Sequence, residues 1–324
     1  MDYLLLVVGL ALLLLAANYL VDSSVAIAQR AKISNFIIGL TIVGIGTSAP
    51  ELFVSISSAL SNSGDIAMGN VIGSNIANVF LILGITAIIY PFVIEREQRN
   101  RDIPFLIFAT LFVTLIANDS IVPGLRYNKL ITLDGIVLLG CFIAYMCWVV
   151  IQKGKDPKKA LKDADDEAKS SLTGKAPWLL WSVAIVSLVA LIFGGNLFLD
   201  SAKNLARAWG MSEAVIAITI VAVGTSLPEL VTAIVAATKK NPQLVLGNVI
   251  GSNLFNLLFI LGTASTVKSM TFMDINIVDY MMMFIAAIML YLVVLTFKKD
   301  KMDRIEGIIF LSIYVGYTVY LLLR

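Results

Sequence analysis

Residues 41–84 read TIVGIGTSAPELFVSISSALSNSGDIAMGNVIGSNIANVFLILG, and residues 219–262 read TIVAVGTSLPELVTAIVAATKKNPQLVLGNVIGSNLFNLLFILG. A shift of 178 residues superimposes the two stretches without a gap, and about half of the positions are identical. Two clusters recur in each copy: GTSxPE at Gly46–Glu51 and Gly224–Glu229, and GNVIGSNxxN at Gly69–Asn78 and Gly247–Asn256. Both sit in strongly apolar surroundings, so the chain is an internal duplication with its polar motifs placed inside hydrophobic segments.

The composition says what those segments are. Of 324 residues 59% are hydrophobic and only 14% charged, against about a quarter charged in soluble domains. The chain reads as an integral membrane protein. A net charge of +2, with no basic stripe to track phosphates, argues against nucleic acid as a partner. The absence of histidine removes the commonest transition-metal ligand and the usual neutral-pH proton carrier, which argues against zinc and haem. Cys141 and Cys147 lie six apart in an apolar helix, match no metal or redox motif, and read as packing residues. The first segment opens with an acid, and its apolar run is longer than that of a secretory signal, so it reads as a retained spanning helix.

About 20 apolar residues cross a bilayer as a helix. On that measure the chain has ten spans, near 3–21, 35–60, 66–90, 103–118, 130–151, 177–199, 214–238, 243–266, 277–297 and 304–322. An even count puts both termini on one side, and the basic residues choose it. With the termini outside, the inner loops hold 18 of the 24 Lys and Arg residues, so residues 152–176 form a cytoplasmic linker. That linker is too short for a core of its own and reads as a solvated connector between a first repeat, 1–151, and a second, 177–324. Because five spans is an odd number, the second repeat enters from the opposite side. The expected fold is therefore all-α, ten transmembrane helices in two inverted five-helix repeats, with discontinuous helices at a central site. Inverted repeats with interrupted helices at matching places point to a secondary transporter. The repeat extends upstream, pairing Asn18 and Asp22 with Asn196 and Asp200, and the two aspartates read as interfacial or capping residues.

Pro50 lies mid-span, removes a backbone donor and displaces the carbonyl of Gly46. With glycines at 44 and 46, the break frees backbone oxygens, which is tolerated at membrane depth only where protein, water or an ion satisfies them. Pro228, Gly224 and the carbonyl of Ala222 repeat the arrangement. Beside each proline stands a glutamate, Glu51 or Glu229. An ionisable side chain at the bilayer centre costs about 2.5–3.5 kcal/mol even on a lenient scale, so two at matching positions ask for a cation. Thr47 and Ser48 precede Glu51 by four and three residues, placing their hydroxyls on its helix face, and Thr225 and Ser226 stand in the same relation to Glu229. Ser74 with Asn78, and Ser252 with Asn256, are i, i+4 pairs. Carboxylates, hydroxyls, amide oxygens and carbonyls without nitrogen or sulfur ligands make a hard-cation site, whose two negative charges match one calcium ion or a small group of sodium ions. Gly69, Gly73, Gly247 and Gly251 form GxxxG spacings and read as close helix packing.

The doubled GTSxPE and GNVIGSN clusters resemble the alpha repeats of the cation/calcium exchanger superfamily, in its sodium/calcium exchanger branch, and the chain is similar to the small prokaryotic members over nearly its full length. The resemblance implies first and sixth helices that slide past an eight-helix core, exposing one site to alternate sides of the cell membrane. It implies Glu51 and Glu229 as shared ligands for calcium and sodium, with further oxygens from Thr47, Ser48, Ser74, Thr225, Ser226 and Ser252 and from the carbonyls of Gly44, Thr47, Ala222 and Thr225. A well-known family pattern has Asn at the end of one second cluster and Asp at the other; here Asn78 and Asn256 are both amides, leaving one fewer titratable group. The leading expectation is a sodium-driven calcium antiporter, whose only ligands are the transported ions, with no cofactor and no catalytic residues, complete within one chain. The alternatives are a proton-coupled or potassium-dependent calcium antiporter of the same fold and, from another class, a cation channel. An intramembrane enzyme lacks a nucleophile, base and metal set.

Overall fold

The computed structural model describes residues 2–118, 128–153, 170–211, 224–273, 275–295 and 300–323. They are mostly helical. The elements are α1 (Asp2–Ala31), α2 (Asn35–Thr47), α3 (Ala49–Leu60), α4 (Gly64–Ile89), α5 (Gln98–Ala117), α6 (Thr132–Lys153), α7 (Pro177–Ala208), α8 (Leu227–Thr238), α9 (Pro242–Val267), α10 (Ile277–Leu295) and α11 (Arg304–Leu323). Among the described residues seven helices are long and apolar enough to cross a membrane, and α2 with α3 makes an eighth span bent by 46°. Of the shorter apolar helices, α8 begins three described residues after a segment outside those described, and α10 ends against another.

The bend between α2 and α3 falls at Ser48, two residues before Pro50, whose missing N–H sits harmlessly in the first turn of α3. The second proline, Pro228, stands in the same place in α8. After each of these helices the chain turns through a left-handed non-glycine residue at matching positions, Asn62 (φ 58°) and Lys240 (φ 57°). The wide π turns are not legible in the sequence. Among the described residues four occur, at Gly39–Val43, Ala77–Leu83, Gln98–Asp102 and Phe255–Ile260. Two of them carry Asn78 and Asn256, so both second clusters end in a widened turn.

At the centre α2 crosses α9 backbone against backbone. A Cβ on Gly247 would stand 2.0 Å from the Phe36 carbonyl oxygen, and one on Gly251 would stand 2.4 Å from that of Leu40. Only glycine permits this approach. Among the described spans α9 is the most enclosed, with 94% of its apolar stretch buried against 33% in each of α1 and α7. Those two long helices lie along one another at the periphery, where Gly9 and Gly194 meet the opposite backbone.

Two short antiparallel ladders join the halves: β1 (Phe92–Val93) with β4 (Lys301–Met302), and β2 (Asn128–Leu130) with β3 (Met270–Phe272). The described end of the linker is docked rather than free. Ser170 Oγ donates to the Asp22 carbonyl (2.7 Å), Ser171 Oγ to Asp22 Oδ2 (2.8 Å) and Thr173 Oγ1 to Gln29 Oε1 (2.9 Å). Asp22 Oδ1 accepts from Lys239 Nζ at 2.6 Å, which makes this aspartate an interfacial clamp. Its sequence twin Asp200 is exposed and pairs with Lys203 one turn away. Cys141 is half-buried and Cys147 exposed, so the packing reading holds for the first cysteine and the second faces outward.

Candidate cation site

The two glutamates are buried, each 1% exposed, in the first turns of α3 and α8. Their contacts cross between the copies. Ser48 Oγ donates to Glu229 Oε1 at 2.8 Å, and Ser226 Oγ lies 3.4 Å from Glu51 Oε1. In a continuous helix Ser48 would share a face with Glu51. The break at Ser48 instead turns its hydroxyl toward the other copy's glutamate, and Ser226, which caps α8 with the same backbone conformation (φ −87°, ψ 11°), does the reciprocal.

The second clusters close around this pair. Ser74 Oγ is 3.2 Å from Ser226 Oγ. Ser252 Oγ donates to the Gly44 carbonyl at 3.2 Å, and Thr47 Oγ1 lies 3.5 Å from the same oxygen. Thr47, Ser48, Ser74, Ser226, Ser252, Asn78 and Asn256 are all buried, at 3% exposure or less, and Gly44 is buried with them. Thr225 is half-buried beside Ser226. Ala222 lies outside the described residues. The two copies of the motif thus meet at one place.

Three asparagines of the GNVIGSN clusters belong to the same network, and helix-face sharing with the glutamates does not pick them out. Asn70 Nδ2 donates to the Glu51 carbonyl (3.3 Å) and to Ser55 Oγ (3.2 Å). Asn248 Nδ2 reaches the Glu229 carbonyl (3.5 Å), while its Oδ1 is 3.3 Å from Thr47 Oγ1. Asn253 joins Asn78. Their recurrence in both copies is the available signal; helix-face geometry hides it, because they act on main chain and on other amides.

The chemistry of the site is carried by what stays unpaired. Glu51 Oε2, Glu229 Oε2, Asn78 Oδ1 and Asn256 Oδ1 are buried with no hydrogen-bond partner among the described residues. All four are acceptors. Leaving a buried polar atom unsatisfied costs about 1–3 kcal/mol, more if it is charged. Among the described residues no third acid, histidine or cysteine joins a metal-binding group with them. Two carboxylates amid neutral oxygens suit a hard cation, sodium or calcium rather than zinc.

A fold of apolar membrane helices closing on a buried oxygen site defines an ion transporter. The chain belongs to the sodium/calcium exchanger protein family, which it matches over residues 1–151 and 179–323. It is 36% identical to an uncharacterized membrane protein of Methanocaldococcus jannaschii, over 95% of this chain and 93% of that one. It is 30% identical to the sodium/calcium exchanger MaX1 of Methanosarcina acetivorans, over 99% and 98%. The solved structure of the sodium-calcium exchanger NCX_Mj, soaked with sodium and strontium, superimposes with a TM-score of 0.81 at 31% identity, covering 98% of this chain and 97% of that one. The family is one of transporters, not enzymes, and its ions are substrates rather than cofactors.

Proposed function

We propose that this chain is a secondary-active antiporter that exchanges sodium for calcium across the cell membrane by alternating access, both ions competing for one site built on Glu51 and Glu229. The observation that carries the reading is that Glu51 and Glu229, buried where the two copies meet, each keep an acceptor oxygen with no partner among the described residues, as do Asn78 and Asn256. A cation supplies what those atoms lack. Thr47, Ser48, Ser74, Thr225, Ser226 and Ser252, with the carbonyls of Gly44, Thr47, Ala222 and Thr225, complete the ligand set.

The ten spans are the seven long helices, the bent pair α2–α3, and the spans of which α8 and α10 are the described parts. They form two inverted repeats, 1–151 and 177–324. The strand ladders support this arrangement. β1 follows the third span of its repeat and pairs with β4, which follows the fourth span of the other; β2 and β3 pair in the converse way. In the ten-span count each ladder joins two loops on one side of the membrane, β1–β4 inside and β2–β3 outside, with both termini outside and residues 152–176 in the cytoplasm. The pair α1 and α7, packed along one another, supplies the elements that slide past the rest, and one chain suffices as the working unit.

The test is calcium-45 uptake into liposomes holding purified protein, with internal sodium, with matched internal potassium, or with a pH gradient alone. Uptake is expected only with sodium inside, and Glu51→Gln or Glu229→Gln is expected to lower it at least 100-fold. Uptake driven by the pH gradient would instead identify a proton-coupled exchanger of the same fold, and uptake indifferent to any counter-ion would identify a channel.

A further inference from the structure

We propose that Asn253 is a positioning residue that makes Asn78 a cation ligand by fixing which end of its amide faces the site. An asparagine amide offers an acceptor at one end and two donors at the other, and only the oxygen end attracts a cation. Nothing in the sequence of Asn78 itself decides between the two ends. The structure decides through a chain of hydrogen bonds that starts from an atom with a single role. The main-chain carbonyl of Asn75 can only accept, and Asn253 Nδ2 lies 3.4 Å from it. Asn253 must therefore present Oδ1 at its other end, where Asn78 Nδ2 donates to it at 2.9 Å. With its nitrogen committed to Asn253, Asn78 is left with Oδ1 free of that contact, buried and without a partner among the described residues. Asn78 lies one turn beyond Ser74, which touches the Ser226 hydroxyl beside Glu51.

The relay runs across the duplication, from the third span of one copy to that of the other and back. Its mirror image is not formed in the same way. Asn75, the sequence twin of Asn253, donates Nδ2 to the Val71 carbonyl within its own helix (2.7 Å), and its Oδ1 has no partner. One amide ligand is thus held by a cross-copy lock, and Asn256 is not held by its counterpart.

The inference rests on Asn78 being a ligand, as in the function proposed above, and a rescue separates the two claims. A carboxylate has acceptors at both ends and needs no orienting partner, so Asn78→Asp makes Asn253 dispensable. Sodium-driven calcium uptake is measured in liposomes for the unchanged chain, Asn253→Leu, Asn78→Leu, Asn78→Asp, and the double variant carrying Asn253→Leu and Asn78→Asp. Asn253→Leu is expected to raise the half-saturating calcium concentration about tenfold, close to the effect of Asn78→Leu, because a freed amide turns donors toward the cation. The double variant is expected to lie within about threefold of Asn78→Asp alone, a non-additivity that a purely structural role does not produce. Equal losses from Asn253→Leu with and without the Asn78→Asp substitution overturn the positioning role. An unchanged half-saturation in Asn78→Leu overturns instead the ligand role on which it rests. Asn253→Ala, which adds no bulk, repeats the test if the leucine variant does not fold.

Discussion

The helices α4 and α9 carry the same GNVIGSN sequence and are buried differently. In α9 every residue from Gln243 to Leu254 is buried, and Gly247 and Gly251 press against the backbone of α2. In α4 the twins Gly69, Asn70 and Gly73 are only half-buried. A Cβ on Gly69 would make an ordinary contact with Ile275 at 3.6 Å, and one on Gly73 would meet nothing within 4 Å among the described residues. The residues that repeat Phe36 and Leu40 in the second copy, Ala214 and Ile218, lie outside the described residues, so the contrast concerns the described neighbours of the two helices alone. In the proposed topology α4 begins toward the outer face, at Gly64, beside Thr271 in the ladder strand β3.

Substituting a packed glycine of α9 is expected to have the largest effect. Gly247→Val drives side-chain atoms into the Phe36 carbonyl, and overpacking of this kind costs about 3 kcal/mol or more. Thermal unfolding of the purified variant in detergent checks it, and an unchanged midpoint would remove the backbone contact of α2 with α9. A second contrast concerns the aspartate twins. Asp22 holds Lys239 and Ser171 in a half-buried cluster, so Asp22→Asn is expected to cost roughly 1–2 kcal/mol, whereas Asp200→Asn in its exposed pair should change stability by less than about 0.5 kcal/mol. The same unfolding measurement, repeated at high salt, sharpens the result, because screening weakens the exposed pair more. The smallest effect belongs to the two left-handed turns. Asn tolerates positive φ better than Lys, so Lys240→Asn is expected to stabilise by a few tenths of a kcal/mol and Asn62→Lys to destabilise by a similar amount, read as opposite shifts of the unfolding midpoint.

Much of this is legible in the chain. The duplication places Glu51 with Glu229 and Ser74 with Ser252, and the structure brings all four to one place, because each residue sits at the same point of a repeated unit. The helix break is legible in kind but displaced in position. Pro50 marks the first turn of the new helix, so the break falls before it, at Ser48, and the serine hydroxyls cross between copies in a way that continuous-helix geometry does not provide. The π turns at Asn78 and Asn256 leave no local signature, since they arise from packing rather than from any breaker residue. The linker's charges point to a solvated connector, but Ser170 and Ser171 dock on Asp22 through hydroxyls that composition treats as neutral filler.

The strand ladders also set a timetable for biogenesis. Phe92 pairs with Met302 and Asn128 with Phe272, so the first half leaves the ribosome with two open strand edges and a glycine-lined α2 whose partner α9 does not yet exist. At roughly 5–20 residues per second, the wait for the chain between Phe92 and Met302 is on the order of 10–40 s. Throughout that interval the nascent protein is a half-lattice of unmatched surfaces, and its insertion machinery has to shelter those surfaces until the second copy arrives to close them.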